Sequence, residues 1–337
     1  MPVASVLAKR AIRGQDGYAR RGLNYFVAAV LAACAIPQAA AQPSDELMVG
    51  RFFVELVGES LKQKFLPGST DTQSVRAKAA PLVPKFTADG CEVLQWDRNA
   101  RSKLSLDISR PGKYCLDQDY ESFCSPFEHG CPGPVIDIRA SNVDVDLRGH
   151  TVSASGTGVS GYGQNIRIHH GHIKSARLGV QLSDKGNSPA LAAPGLPLKA
   201  DPVFSDTGFV VESIQFSDVA TAIMVSGRGN MVRDNTIGAT FDQKNSTGAH
   251  LALLSYGPAT RIERNTFRLS GLASGAVGHA VYLRSADGTV VGNNKVRTGF
   301  SRTGTIGMGV SGTTGVVLES NTLDTEKAVE LDEASSL

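Results

Sequence analysis

"IERNTF", residues 262–267, restates "VRDNTI", residues 232–237, and "LESNTL", residues 318–323. Each begins with an aliphatic residue, runs through two polar ones to Asn at the fourth place, and closes on a polar and an apolar residue. Looser copies are "IHHGHI" (168–173), "VESIQF" (211–216) and "VGNNKV" (291–296). The six starts lie 43, 21, 30, 29 and 27 residues apart, and the first gap contains an insertion, "DKGNSPALAAPGLPLKADPVFSDT" (184–207). A period of this length marks a repeat architecture. A second apolar stretch follows most copies: "AIMV" (222–225), "LALL" (251–254), "AVYL" (280–283), "GMGV" (307–310) and "AVEL" (328–331). Each repeat therefore carries at least two short strands. The composition agrees, because 36 glycines supply turns and a 6% aromatic content leaves the core to Val, Ile, Leu and Ala.

One such repeat cannot bury its apolar side alone, so successive repeats are expected to stack as parallel strands about 4.8 Å apart. Asn235, Asn265, Asn294 and Asn321 then superpose at one turn as a structural ladder, since Asn tolerates left-handed backbone geometry and its amide can bond to the next repeat. Gly171 takes the same place in "IHHGHI". On these residues the chain resembles the right-handed parallel β-helix superfamily of pectin-lyase-like architecture, with its PbH1 repeats, over about 135–331. "RPGKYCLDQD" (110–119) and "VIDIRASNVDVDLRGHTVSASG" (135–156) resemble entry repeats of secreted members. The handedness is implied by the resemblance.

Three of the seven histidines, His169, His170 and His172, fall inside the first copy. With Ile168 and Ile173 facing inward, His169 joins an outward column of Asp146, His169, Glu212, Arg233 and Glu263. The alternating signs predict a modestly stabilised face, about 0.2–1 kcal/mol per pair. His170 is placed at the corner and His172 on the next face, so no metal site is expected. In the second strand, aligning Val225, Leu254 and Leu283 inward turns Met224, Leu253 and Tyr282 outward. That apolar stripe reads either as the seat of a covering element or as a sugar-binding surface with Tyr282 as a stacking platform.

His250 and His279 each precede a ladder Asn by 15 residues, which predicts neighbours in consecutive repeats, buried or at a corner. With Tyr282, Arg284, Tyr256 and Arg261 they make the densest set of acid/base and carboxylate-binding groups. Lyase or C5-epimerase chemistry on uronates needs a cation at the carboxylate, a base for the C5 proton and a proton donor. Arg284, His279 or His250, and Tyr282 are the catalytic candidates for those roles, with Tyr256 and Arg261 as substrate-binding candidates. The resemblance extends to pectate lyases, alginate epimerases and polygalacturonases, but their motifs are missing. The epimerases' Asp-Pro-His-Asp/Glu survives only as Asp201-Pro202, and no pectate-lyase-like calcium cluster stands out. Calcium is implied by the resemblance alone, and no other cofactor is evident.

The ends of the chain set its context. Arg20 and Arg21 precede "YFVAAVLAACAI" and a small-residue cleavage site, "QAAAQ", so residues 1–41 read as an export signal, with lipoprotein anchoring at Cys34 as an alternative. The expected location is secreted or periplasmic, and no later stretch is apolar enough for a transmembrane helix. Five basic residues and one acidic lie in the leader, leaving 29 basic against 31 acidic residues, which argues against a nucleic-acid partner. Residues 42–90 are expected to form an N-terminal cap, in which Leu47, Phe52, Phe53, Leu56, Val57 and Leu61 recur at helix spacing. Cys91, Cys115, Cys124 and Cys131 predict two disulfides in an entry segment, 91–134, with the pairing open. Residues 135–337 are the β-helix, of seven or eight repeats. Two functions remain: an exported monomer that binds or processes acidic polysaccharide, or a non-catalytic glycan-binding or envelope scaffold.

Overall fold

A computed structural model describes residues 83–95, 105–122, 133–185, 187–192, 194, 202–241, 250–272, 275–299 and 301–337. The leader, the 45–65 helix, Cys124 and Cys131 lie outside them. Residues 80–337 belong to one compact unit. It is all-β, and its sheets are parallel apart from one antiparallel pair at the start. The one helix among the described residues is a single 3-10 turn, Pro189–Ala192, and no helix among them is long and apolar enough to cross a membrane.

The strands fall into three rows. The first holds β1 (Lys85–Phe86), β2 (Glu92–Val93), β4 (Gly112–Cys115), β7 (Val143–Asp146), the front halves of β10 (Ile166–Lys174) and β12 (Val210–Val219), β14 (Met231–Arg233), β17 (Arg261–Glu263), β20 (Val290–Gly292) and β23 (Val317–Glu319). The second holds β5 (Tyr120–Ser122), β8 (Thr151–Ala154), the rear halves of β10 and β12, β15 (Thr236–Thr240), β18 (Thr266–Ser270), β21 (Lys295–Thr298) and β24 (Thr322–Asp324). β10 and β12 run through the corner and join both rows into one sheet. The third row is a nine-stranded sheet: β3 (Leu106–Ile108), β6 (Ile136–Ile138), β9 (Thr157–Tyr162), β11 (Leu178–Ser183), β13 (Thr221–Ser226), β16 (His250–Tyr256), β19 (Gly278–Arg284), β22 (Thr305–Ser311) and β25 (Lys327–Leu331).

The register of the first row is the one the sequence pattern predicts: Ile168, Val211, Val232, Ile262, Val291 and Leu318 oppose one another strand by strand. The closing residues Ile173, Phe216, Ile237, Phe267, Val296 and Leu323 do the same in the second. These two columns and the inward residues of the third row form the continuous core. Full burial of a side chain such as Ile262 or Phe267 stabilises by about 1.5–3 kcal/mol.

Two expectations need correction. The left-handed residue at the corner is not the ladder Asn but the one before it: Arg148, His170, Ser213, Asp234, Arg264, Asn293 and Ser320 all have φ between 51° and 57°. Taking the turn there leaves each Asn side chain directed inward, where it bonds along the stack. Asn265 Nδ2 donates to Val232 O and to Asn294 Oδ1, both at 3.0 Å, while its Oδ1 accepts from the Asn235 backbone N–H at 3.1 Å.

In the third row Val225 and Leu283 point inward and Met224 and Tyr282 outward as expected, but β16 between them is shifted by one residue from the expected alignment. Met224 opposes Leu254 and Val225 opposes Ser255, so Leu253 faces the core and Leu254 lies on the outside with Tyr282. Strict alternation fails because each strand bends at a small residue: Ala222, Ala252 and Ala280 are in the core, and so are Ile223, Leu253 and Val281 directly after them. Gly179 takes this place on β11, where an added Cβ would lie 2.7 Å from the Phe216 ring.

Candidate functional site

The outer side of the third row holds most of the sequence-predicted site residues, and it is closed. Met224, Leu251, Leu254, Tyr256 and Tyr282 form a second apolar cluster with Ala192 and Phe204 of the insertion. The Phe204 and Tyr256 rings meet edge-on with centroids 4.9 Å apart. The insertion is pinned at its base, where the Asp184 N–H donates to Ser226 Oγ and Asp184 Oδ2 accepts from Asn187 Nδ2 and the Ser205 N–H. The outward apolar stripe is therefore the seat of a cover, and Tyr282, 8% exposed, is no stacking platform.

The catalytic candidates fare similarly. His279 is 6% and Arg284 3% exposed. A Cβ on Gly309 of the next strand would come within 2.6 Å of both the His279 and Tyr282 rings, so that strand's backbone closes over them. Burial pulls the His279 pKa below its usual value against an opposing pull from Glu330, whose Oε2 lies 3.6 Å from Nε2, too far for a hydrogen bond. Neither ring nitrogen has a hydrogen-bond partner. His250 opposes Gly278 rather than His279, sits 5.4 Å from the Phe241 ring and also has its pKa lowered by burial. Burial raises the Tyr256 pKa, opposed by its neighbour Arg284. Arg261 is on the other sheet, exposed and paired with Glu263. Among the described residues, these candidates for base, proton donor and carboxylate-binding cation are thus not gathered at one open surface.

The first-row column has the predicted order, with Asp146, His169, Glu212, Arg233 and Glu263 in consecutive register. Its charges neutralise one another. Glu212 accepts from Arg167 Nε at 2.6 Å and from Arg233 Nε. Burial pushes the Glu212 carboxyl up, but the two guanidinium groups outweigh it and hold the pKa below the usual value. Arg264 binds both Asp234 oxygens, at 2.7 and 2.8 Å, and holds that carboxyl low as well. His169, expected to face outward, is only 5% exposed because Asp144 and His170 fold over it.

The second row differs. Its fifth-place residues are His172, Gln215, Thr236, Thr266, Lys295 and Thr322, opposed in that order. The residues just after each closing apolar position are Lys174, Ser217, Gly238, Arg268, Arg297 and Asp324. Arg268 directly opposes Arg297, and Lys295 lies on the same strand face two residues from Arg297. Lys174, Arg268, Lys295 and Arg297 are exposed, and none has an ion-pair partner among the described residues. The acids nearby are Glu121 on β5, Asp218 in a bulge of β12, and Asp324, which opposes Arg297 on the next strand and is ion-paired with Arg302. Like charges facing each other across strands are destabilising, so this cluster is a place where an anion is welcome. The sequence reading missed it because it ended each copy at the closing apolar residue. The seventh residue of each repeat, read as a column, carries the signal.

The bridge Cys91–Cys115, with Cα atoms 6.0 Å apart, joins β2 to β4. No protein-family model, curated protein or solved structure matches the chain.

Proposed function

We propose that this chain is an exported right-handed parallel β-helix of the pectin-lyase-like type, whose second-row face binds an acidic polysaccharide without processing it. The observation that carries the reading is the trio Arg268, Lys295 and Arg297, without ion-pair partners among the described residues, on one strand face, with Lys174 further along. Carboxylates spaced along a polymer would relieve the repulsion within the trio, and Gln215, Thr236, Thr266 and Thr322 offer donors and acceptors to sugar hydroxyls. Export is supported by the Cys91–Cys115 bridge, since such bonds persist in oxidising compartments. The parallel pairing of successive repeats in three rows supports the β-helix assignment. Enclosure of His279, Tyr282 and Arg284 favours binding over catalysis.

The test is affinity electrophoresis of the mature protein through gels containing polygalacturonate, alginate or neutral dextran, at rising salt. Retardation is expected in the two acidic gels alone and is expected to weaken with salt. Arg268→Glu with Arg297→Glu should lower the affinity on the order of tenfold or more, whereas Arg261→Glu on the first row should leave it unchanged. Equal retardation by dextran, or by DNA at the same charge density, would remove the uronate reading. Release of an unsaturated uronate, read at 235 nm, would restore the lyase.

A further inference from the structure

The chain carries a second polar cluster, at the corner between the first and second rows. Asp146 ends β7, His169 opposes it on β10, and His170 follows in the left-handed corner conformation, φ 53°. That turn swings the His170 ring back toward its neighbour. The two Nδ1 atoms lie 2.7 Å apart, and Asp146 Oδ1 is 3.8 Å from His169 Nδ1 and 3.6 Å from His170 Nδ1. We propose that these three side chains bind a divalent transition-metal ion of the zinc class.

Metal–ligand distances of about 2.0–2.2 Å at a tetrahedral centre put donor atoms roughly 3.3–3.6 Å apart, so the carboxylate oxygen needs to move by only a few tenths of an ångström, while the two Nδ1 atoms must open by about 0.6–0.9 Å, a motion the exposed His170 ring can make. The donor chemistry agrees, since two imidazoles and a carboxylate suit zinc, copper or nickel and are poor partners for calcium. The decisive neighbour is Asp144, whose Oδ1 lies 2.7 Å from His169 Nε2. A proton held there leaves the Nδ1 lone pair aimed at the other two donors, which is the carboxylate–histidine–metal arrangement of known sites. Asp146 Oδ1 also accepts the Arg148 backbone N–H at 2.9 Å, which fixes the carboxylate. His170 is exposed over 56% of its side chain, so a fourth position opens to solvent or to a ligand. The sequence reading expected no metal here because it separated His170 from His169 at the corner. His172 does stand apart, its Nδ1 3.2 Å from Gly149 O.

The test uses tag-free full-length mature protein stripped with a chelator and titrated with zinc alone by calorimetry, then with cobalt to read the visible absorption of the coordinated ion. One equivalent is expected, with affinity falling at least tenfold in His170→Ala and by about tenfold or more in Asp144→Asn. The first variant changes an exposed residue, and a cooperative unfolding transition without metal checks that it is folded. His150→Ala, at a separate Asp119 contact, should titrate like the parent. Absence of one-to-one binding at 100 µM zinc, or identical titrations of parent and His170→Ala, would overturn the proposal.

Discussion

At the scale of single residues, the ladder amides and Glu212 are where the fold is most exposed to substitution. Asn265 is 1% exposed, and its side chain serves the Asn235 N–H, the Val232 carbonyl and the next amide at once. Asn265→Ala should therefore cost about 3 kcal/mol, because the buried Asn235 N–H, the Val232 carbonyl and the Asn294 amide oxygen each lose a hydrogen bond. Asn321→Ala, at the half-buried end of the ladder, should cost about 1 kcal/mol, and urea denaturation of both variants checks the contrast. The Glu212 carboxyl makes a different prediction. Its pKa is lowered in the folded chain, so its stabilising contribution is present above the ordinary value of 4.5 and is lost as pH falls through the folded value. Glu212→Gln should be less stable than the parent at pH 7, and the gap should narrow steadily below pH 4.5 in pH-resolved melts. The amide column was legible in the sequence because Asn recurs at one place. The left-handed turn was not, since its occupants are Arg, His, Ser, Asp and Asn, which share a backbone conformation but no side-chain chemistry.

At the scale of elements, the register of the first row was read throughout, whereas in the third row β16 was misplaced by one residue. The first-row strands β14, β17, β20 and β23 are three residues long and keep one unbroken register, with an exposed-buried-half-buried pattern in β17. Third-row strands bend, and two successive residues enter the core, so parity counted from one end fails beyond the bend. A column of Gly179, Ala222, Ala252 and Ala280 is the mark of that bend, and only small side chains permit it. Gly179→Ala would bring a Cβ within 2.4 Å of Ala222 O and should cost about 1–3 kcal/mol. Gly292→Ala, where the nearest atom is 3.6 Å away, should change the urea midpoint little. The same bend governed the reading of the site. It put Leu254 instead of Leu253 under the insertion and placed His279 with Tyr282 and Gly309 on the enclosed outer side.

At the scale of the whole molecule, each strand pairs with its neighbours one repeat away, so stability is distributed along the stack and its continuous core. That is why local patterns were enough to read most of it, while the cover over the third row, which comes from an insertion with no repeat pattern, was open between two readings. Regular stacking also gives the charged face a fixed graduation. Lys174 on β10 and Arg297 on β21 are separated by four strand spacings, about 19 Å along the stack. The row is in effect a ruler. An oligosaccharide shorter than that interval can satisfy only one end of it, and a longer one reaches both at high effective concentration. Affinity measured against a series of uronate oligomers of increasing length should therefore rise in a step where the ligand first spans the interval, and Lys174→Ala should erase the step while leaving the short oligomers unaffected.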